Sequence, residues 1–234
     1  MIRPKPANNE IYHIYNRGVE KRKIFSETSD YLRFVHDLYE FNNEDPAINL
    51  AYHVGYNRKE VGLPKFERER GKPLVDIMAF CLMPNHFHLM LRQKTTSGIT
   101  EFMRKLGTGY TNFFNQKYDR VGPLFQGKYK LVLLKSDSHF IHLPFYIHLN
   151  PLDLKFLNWR GEKFSDHRKA MQFLETYQWS SFPDYIGKKN FPSVTQREFL
   201  MKFFGGPEHY KKEINLYLLE ATEENERIRN LLIE

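Results

Sequence analysis

His86 and His88 stand one residue apart in the run Ile77-Met78-Ala79-Phe80-Cys81-Leu82-Met83-Pro84-Asn85-His86-Phe87-His88-Leu89-Met90-Leu91. The residues around them favour a buried strand. Side chains alternate faces along a strand, so both imidazoles point one way while Phe87 and Leu89 point into the core. Two histidines side by side on a rigid sheet make half of a metal site. The same spacing suits a pair of histidines on the wet face of a sheet, and spacing alone leaves both readings open.

The elements that must hold this pair are read from periodicity. Ile11–Asn16 alternates as a strand and stops at Arg17-Gly18. Tyr31, Phe34, Val35, Leu38 and Phe41 follow helical spacing behind Thr28, Ser29 and Asp30, which suit a cap. Ile48–Tyr56 is expected as a strand, and Arg58–Lys72, with six bases and three acids, as a solvated basic loop. Ser97–Tyr118 reads as a long helix with an apolar stripe of Ile99, Phe102, Met103, Leu106, Tyr110 and Phe113. Gly107 and Gly109 cost that helix about 1 kcal/mol each relative to Ala. Close approach of a neighbouring backbone or of a ligand would explain them. Lys128–Leu134 follows as a strand, Ser138–Leu149 as a helix kinked at Pro144, and Glu208–Leu232 as a final helix. Strand, helix, strand, strand, helix, strand predicts an α+β fold. It is a ferredoxin-like sandwich, a mostly antiparallel sheet with helices on one face, followed by a helical C-terminal extension. In that arrangement the histidine strand is central and Tyr110 stands near the histidines.

The 234 residues carry a net charge of +7 and are 15% aromatic. Cations that neutralise phosphates, with rings that stack on unpaired bases, suit a nucleic-acid partner. Acids outnumber bases seven to four from Glu208 to Glu234, so the positive charge is concentrated before that segment. Cys81 is the single cysteine, which excludes an internal disulfide and a thiolate metal cage. Neither a secretory signal nor a membrane span is evident, so a cytoplasmic location is expected.

Six blocks then stand in a recognisable order: Tyr12–Gly18, Leu82–Leu89, Gly109–Asn115, Gly122–Lys130, Tyr146-Ile147-His148-Leu149-Asn150-Pro151 and Trp179-Ser180-Ser181-Phe182. Together they resemble the single-tyrosine HUH transposases, in the branch of REP-associated tyrosine transposases. The resemblance spans about residues 11–187. It implies a catalytic domain over 8–187 that holds the 58–72 loop, with 188–234 as the extension. It implies action on single-stranded DNA folded into hairpins, with His86 and His88 as metal ligands and Tyr110 as nucleophile. Many relatives carry a glutamine four residues after the tyrosine. This chain has Phe114 there, so Asn115 is taken as the third ligand, with Gln116 as its rival and Tyr118 as the next candidate nucleophile. Arg17, Arg104, Lys105, Lys128 and Lys130 are expected to contact phosphates.

The chemistry so implied is DNA cleavage and strand transfer. A tyrosine hydroxyl attacks a phosphodiester bond, leaving a 5′-phosphotyrosine and a free 3′-hydroxyl, with Mg2+ or Mn2+ as cofactor. Two other readings stand beside it. One is a domesticated protein that binds DNA hairpins without cutting them. The other is a hydrolytic metalloenzyme, for which the nearest acids to the histidines in sequence are Asp76 and Glu101. The C-terminal helix is expected to pack on the catalytic domain or to mediate self-association as a homodimer.

Overall fold

A computed structural model describes residues 5–45, 71–156, 159 and 165–219. The strand expected at Ile48–Tyr56 and nearly all of the 58–72 loop lie outside the described residues. The first half of the fold runs β1 (Ile11–Arg17), α1 (Thr28–Glu40), β2 (Val75–Met83), β3 (His86–Gln93), α2 (Gly98–Lys117) and β4 (Lys130–Leu133). The strands form one antiparallel sheet in the order β2-β3-β1-β4. That is the ferredoxin-like order expected from the sequence. The single histidine strand expected over 77–91 is instead a hairpin that turns at Pro84-Asn85. Proline cannot donate to a ladder, and a Pro-Asn pair favours a turn.

Alternation assigns each strand residue to one of two cores. Tyr12, Ile14, Phe80, Leu82, Phe87, Leu89 and Leu91 pack with α1 and α2 on the first face. Met78, Ala79, Cys81, Met83 and Met90 belong to the second face. That face is covered by α3 (Asp137–Leu149), α4 (His167–Thr176), α5 (Phe182–Tyr185), α6 (Glu198–Phe203) and α7 (Pro207–Leu219). A bulge between Ile77 and Ala79 turns both Met78 and Ala79 toward this second core. The carbonyl of Met78 accepts the Tyr185 hydroxyl at 2.5 Å. Helices therefore cover both faces, where one was expected, because β2 is apolar at nearly every position and has no side that suits water. The described part of the extension packs into the second core through Leu200, Phe204, Tyr210, Ile214 and Leu218, as the first of the two expectations had it, and residues 220–234 lie outside the described residues.

β2 lies at the sheet edge, and its free groups are taken up by the chain itself. Leu82 N donates to Trp179 O at 2.8 Å, Phe80 N to Ser181 Oγ at 2.9 Å, and Ser181 N to Phe80 O at 3.0 Å. Gln196 closes the far end, with its amide on Ile77 O and its side chain accepting from Ile77 N. The Trp-Ser-Ser-Phe block thus protects an edge that would otherwise pair with another chain.

α3 is tied to the extension by His148. The ring is fully buried, with Nδ1 2.6 Å from the Tyr210 hydroxyl and Nε2 2.8 Å from Ser181 Oγ. Burial pushes its pKa down to about 3. The two helix glycines divide by surroundings. A Cβ on Gly109 would come within 2.5 Å of the Phe41 ring, whereas one on Gly107 would meet nothing within 4 Å.

Gly107→Ala is expected to stabilise the fold by up to ~1 kcal/mol through helix propensity, and Gly109→Ala to destabilise it by ~1–3 kcal/mol through overpacking. Urea denaturation of the two variants checks both signs. His148 stays neutral in the fold but binds a proton when unfolded below its ordinary pKa of 6.5. Stability is therefore full above pH 6.5 and falls as pH drops from 6.5 toward 3, by ~1.4 kcal/mol per unit for this group. Comparing pH 6.5 with pH 5, His148→Gln should show a loss about 2 kcal/mol smaller than the parent chain.

Candidate active site

β3 pairs His86 with Arg17 and His88 with Tyr15 of β1, and pairs the same histidines with Met83 and Cys81 of β2. Both imidazoles therefore leave the sheet on its second face, beneath α3. Their ring centroids are 5.0 Å apart and nearly perpendicular. They open into a cavity of about 560 Å³ that Tyr15, Arg17, Lys21, Lys130, Tyr146, Asn150 and Asp153 also line.

Each histidine is held through a second contact. His88 Nδ1 lies 2.9 Å from Nε2 of His13, its diagonal neighbour on β1. Ligating histidines are commonly oriented in this way by a partner on the other ring nitrogen. His86 Nδ1 lies 2.7 Å from Asn85 Oδ1, and Asn150 lines the same cavity. Burial pushes the His86 pKa below its ordinary value, against the pull of Asp153 and Asn150. The ring is then neutral at pH 7, the form that binds metals.

Tyr146 and Asn150 reach the cavity from the C-terminal turn of α3. A separation of four residues puts them on one helix face. Asn150 Nδ2 donates to Tyr146 O at 2.8 Å, which directs its Oδ1 away from the helix. The Tyr146 ring meets His88 edge-on at 5.3 Å between centroids and His13 at 5.8 Å. Asp153 follows in a short 3-10 turn, and its Oδ1 accepts the Trp159 indole N–H at 2.8 Å. Among the described residues, no three His, Cys, Asp or Glu side chains could hold a metal by themselves. The donor set that does converge is two imidazoles and an amide, with a carboxylate in the same cavity. Oxygen donors beside the histidines suit Mg2+ or Mn2+ better than a bare histidine pair does.

The structure separates this site from several residues expected in it. Tyr110 lies on the first face of the sheet and is fully buried against Phe25 and Phe34, with its hydroxyl donating to Ile24 O at 2.5 Å. Burial raises its pKa far above that of a free phenol. Asn115 closes the end of α2, donating to Gly122 O at 2.9 Å and accepting from Arg120 at 2.6 Å. Gln116 is exposed on the same helix, and the Tyr118 hydroxyl donates to Asp30 at 2.7 Å. Lys105 serves the loop after α1, with Nζ on Asn43 O at 2.5 Å and Asp45 O at 3.0 Å. Arg17 and Lys130 do line the histidine cavity, whereas Arg104 and Lys128 line a separate one. Asp76 pairs with Arg92 at 2.6 Å and Glu101 with Lys105 at 3.3 Å, so neither serves the histidines.

Tyr146, Asn150, Asp153 and His13, which the sequence reading did not place beside the histidines, stand at this cavity or touch its rings. Two signals were present in the sequence. Tyr146 and Asn150 have the four-residue spacing of tyrosine and amide that Tyr110 lacks. His13 and Tyr15 alternate on a strand that pairs with the histidine strand.

Comparison with known proteins bears on this geometry. Residues 67–150 match the family model described as Transposase IS200 like, a segment that includes His86, His88, Tyr146 and Asn150. That segment also includes the blocks Leu82–Leu89, Gly109–Asn115 and Gly122–Lys130 read from the sequence. No curated protein matches the chain. A solved structure titled "Structure of the REP associates tyrosine transposase bound to a REP hairpin" is similar at a TM-score of 0.45 and 12% identity, covering 83% of this chain and 89% of that one. No helix of the described residues is long and apolar enough to cross a membrane.

If the Tyr110 hydroxyl is a structural group, Tyr110→Phe orphans only the Ile24 carbonyl. The expected loss is about 1 kcal/mol of stability, read by urea denaturation.

Proposed function

We propose that this chain, which carries an IS200-like transposase segment at residues 67–150, cuts and rejoins hairpin-forming single-stranded DNA through a 5′-phosphotyrosine on Tyr146. The observation that carries the reading is one cavity that holds His86, His88 and Tyr146 together among Arg17, Lys21 and Lys130.

The basic side chains bind the DNA backbone and bring a phosphate over the histidines. His13 and Asn85 hold the imidazoles, so little reorganisation is needed when the phosphate arrives. His86, His88 and Asn150 would hold a divalent cation, which supplies positive charge for a non-bridging phosphate oxygen. Tyr146 Oη forms a bond to phosphorus while the bond from phosphorus to the 3′-oxygen breaks. The phenol loses a proton and the departing 3′-oxygen gains one. Asp153 is the one carboxylate among the described residues that line the cavity, and it is suited to receive the phenol proton. The phosphodiester energy is kept in the covalent bond, so a 3′-hydroxyl attacking it restores a DNA strand without ATP.

Asp153 also gives the hydrolytic reading the acid it lacked in sequence. In that reading a water, and not Tyr146, attacks the phosphate. The amide four residues after Tyr146 favours the cutting reading over a purely DNA-binding one.

A covalent-trapping gel with 3′-labelled hairpin DNA and Mn2+ or Mg2+ separates these readings. The parent chain and Tyr110→Phe should each give a shifted band, and Tyr146→Phe and the double variant His86→Ala/His88→Ala none. A band that survives Tyr146→Phe and vanishes in Tyr110→Phe would overturn the nucleophile. Cut DNA without an adduct would point to hydrolysis, and tight binding without cutting to the binder.

A further inference from the structure

A second cavity, of about 600 Å³, lies beyond the histidine site, between α2 and the segment 123–129. Its volume is typical of a small-molecule site. Its walls include Met103, Leu106, Phe125 and Tyr129, and its rim carries Lys5, Arg104 and Lys128. Among the described residues no acidic side chain lines it and no carboxylate pairs with those three cations.

Gly107 sits in the α2 wall of this cavity. The helix would gain from alanine there, and the space a Cβ would enter is open. Packing therefore does not explain the glycine, in contrast to Gly109 under Phe41. What Gly107 provides is a wall without a side chain, beside two half-buried rings. Apolar walls, aromatic faces and a cationic rim without acids together fit one chemistry, a planar base attached to a phosphate backbone.

The two cavities share a wall. Asn16 lines both, and its Nδ2 donates to Gly127 O at 3.2 Å. Along the next residues the chain serves each in turn: Gln126 and Lys130 face the histidine cavity, while Phe125, Lys128 and Tyr129 face the second. A strand leaving the histidines can follow this basic segment around the sheet edge.

We propose that the cavity at Gly107 takes an unpaired nucleobase from the single strand that flanks the DNA hairpin, with Lys5, Arg104 and Lys128 on its phosphates. The assignment rests on the transposase reading above.

The test is fluorescence anisotropy of the full chain at low salt, where phosphate contacts suffice for binding. The probes are one mixed-sequence stem-loop, bare or with a short single-stranded extension on its 5′ or 3′ side. One extension should tighten binding to the parent chain by about 5-fold or more, the lower end for one stacked base. Gly107→Leu fills the cavity and should abolish that gain, leave the bare stem-loop affinity unchanged and not lower Tm. One abasic position in the extension should cost the parent chain the same factor and cost Gly107→Leu nothing further. If the parent chain binds the stem-loop and gains from neither extension, or if Gly107→Leu keeps the gain, the subsite is overturned and the transposase reading stands. If the parent chain binds none of the probes, both fall together.

Discussion

β3 has to satisfy two cores at once. Phe87, Leu89 and Leu91 are buried under α1 and α2, while Met90 is buried on the other side beneath α3. Burying each such side chain is worth about 1.5–3 kcal/mol. A slip of one residue would exchange the two sets, so the register is held from both directions. His86 and His88 alternate with Phe87 and Leu89 and have no choice of face. The site then consists of whatever else lies on that face: His13, Tyr15 and Arg17 of β1, and the inner side of α3.

α3 shows how the C-terminal helices bear on the site without touching it. At 3.6 residues per turn, His148 is rotated about 200° from Tyr146 and Asn150 only about 40°. One side of the helix presents a tyrosine and an amide to the histidines. The opposite side buries His148 against Tyr210 and Ser181. The same Ser181 covers the edge of β2. The extension is therefore part of what holds α3 over the sheet, and its contribution to the site is one of position.

On the other side of the molecule, the segment that leads into β4 separates two cavities of different character. One is polar, with histidines, an amide and a carboxylate. The other is apolar with a cationic rim. Asn16 pins the shared wall through Gly127, whose φ of +71° lies in the region that favours glycine. Two neighbouring surfaces of opposite polarity can meet the two parts of a nucleotide chain, the phosphate in one and the base in the other.

The pattern of residues alone determined the fold class, the first and last strands of the sheet, the long helix over 97–118 and the shared face of His86 and His88, whereas the sheet's other two strands both come from the run it reads as one. These depend on alternation and on period 3.6, which are local. It also contained the reason Tyr110 stands away from the histidines: a ring on the apolar stripe of α2 belongs to the core of Phe87, and strand parity puts Phe87 opposite the histidines. Which tyrosine meets the histidines depended on which helix covers the second face, and so on contacts between residues about sixty apart in sequence. The hairpin at Pro84-Asn85, the two-sided burial of β2 and the approach of Asp153 were settled in the same way. Periodicity says which side of an element is apolar, but only packing says what lies against it.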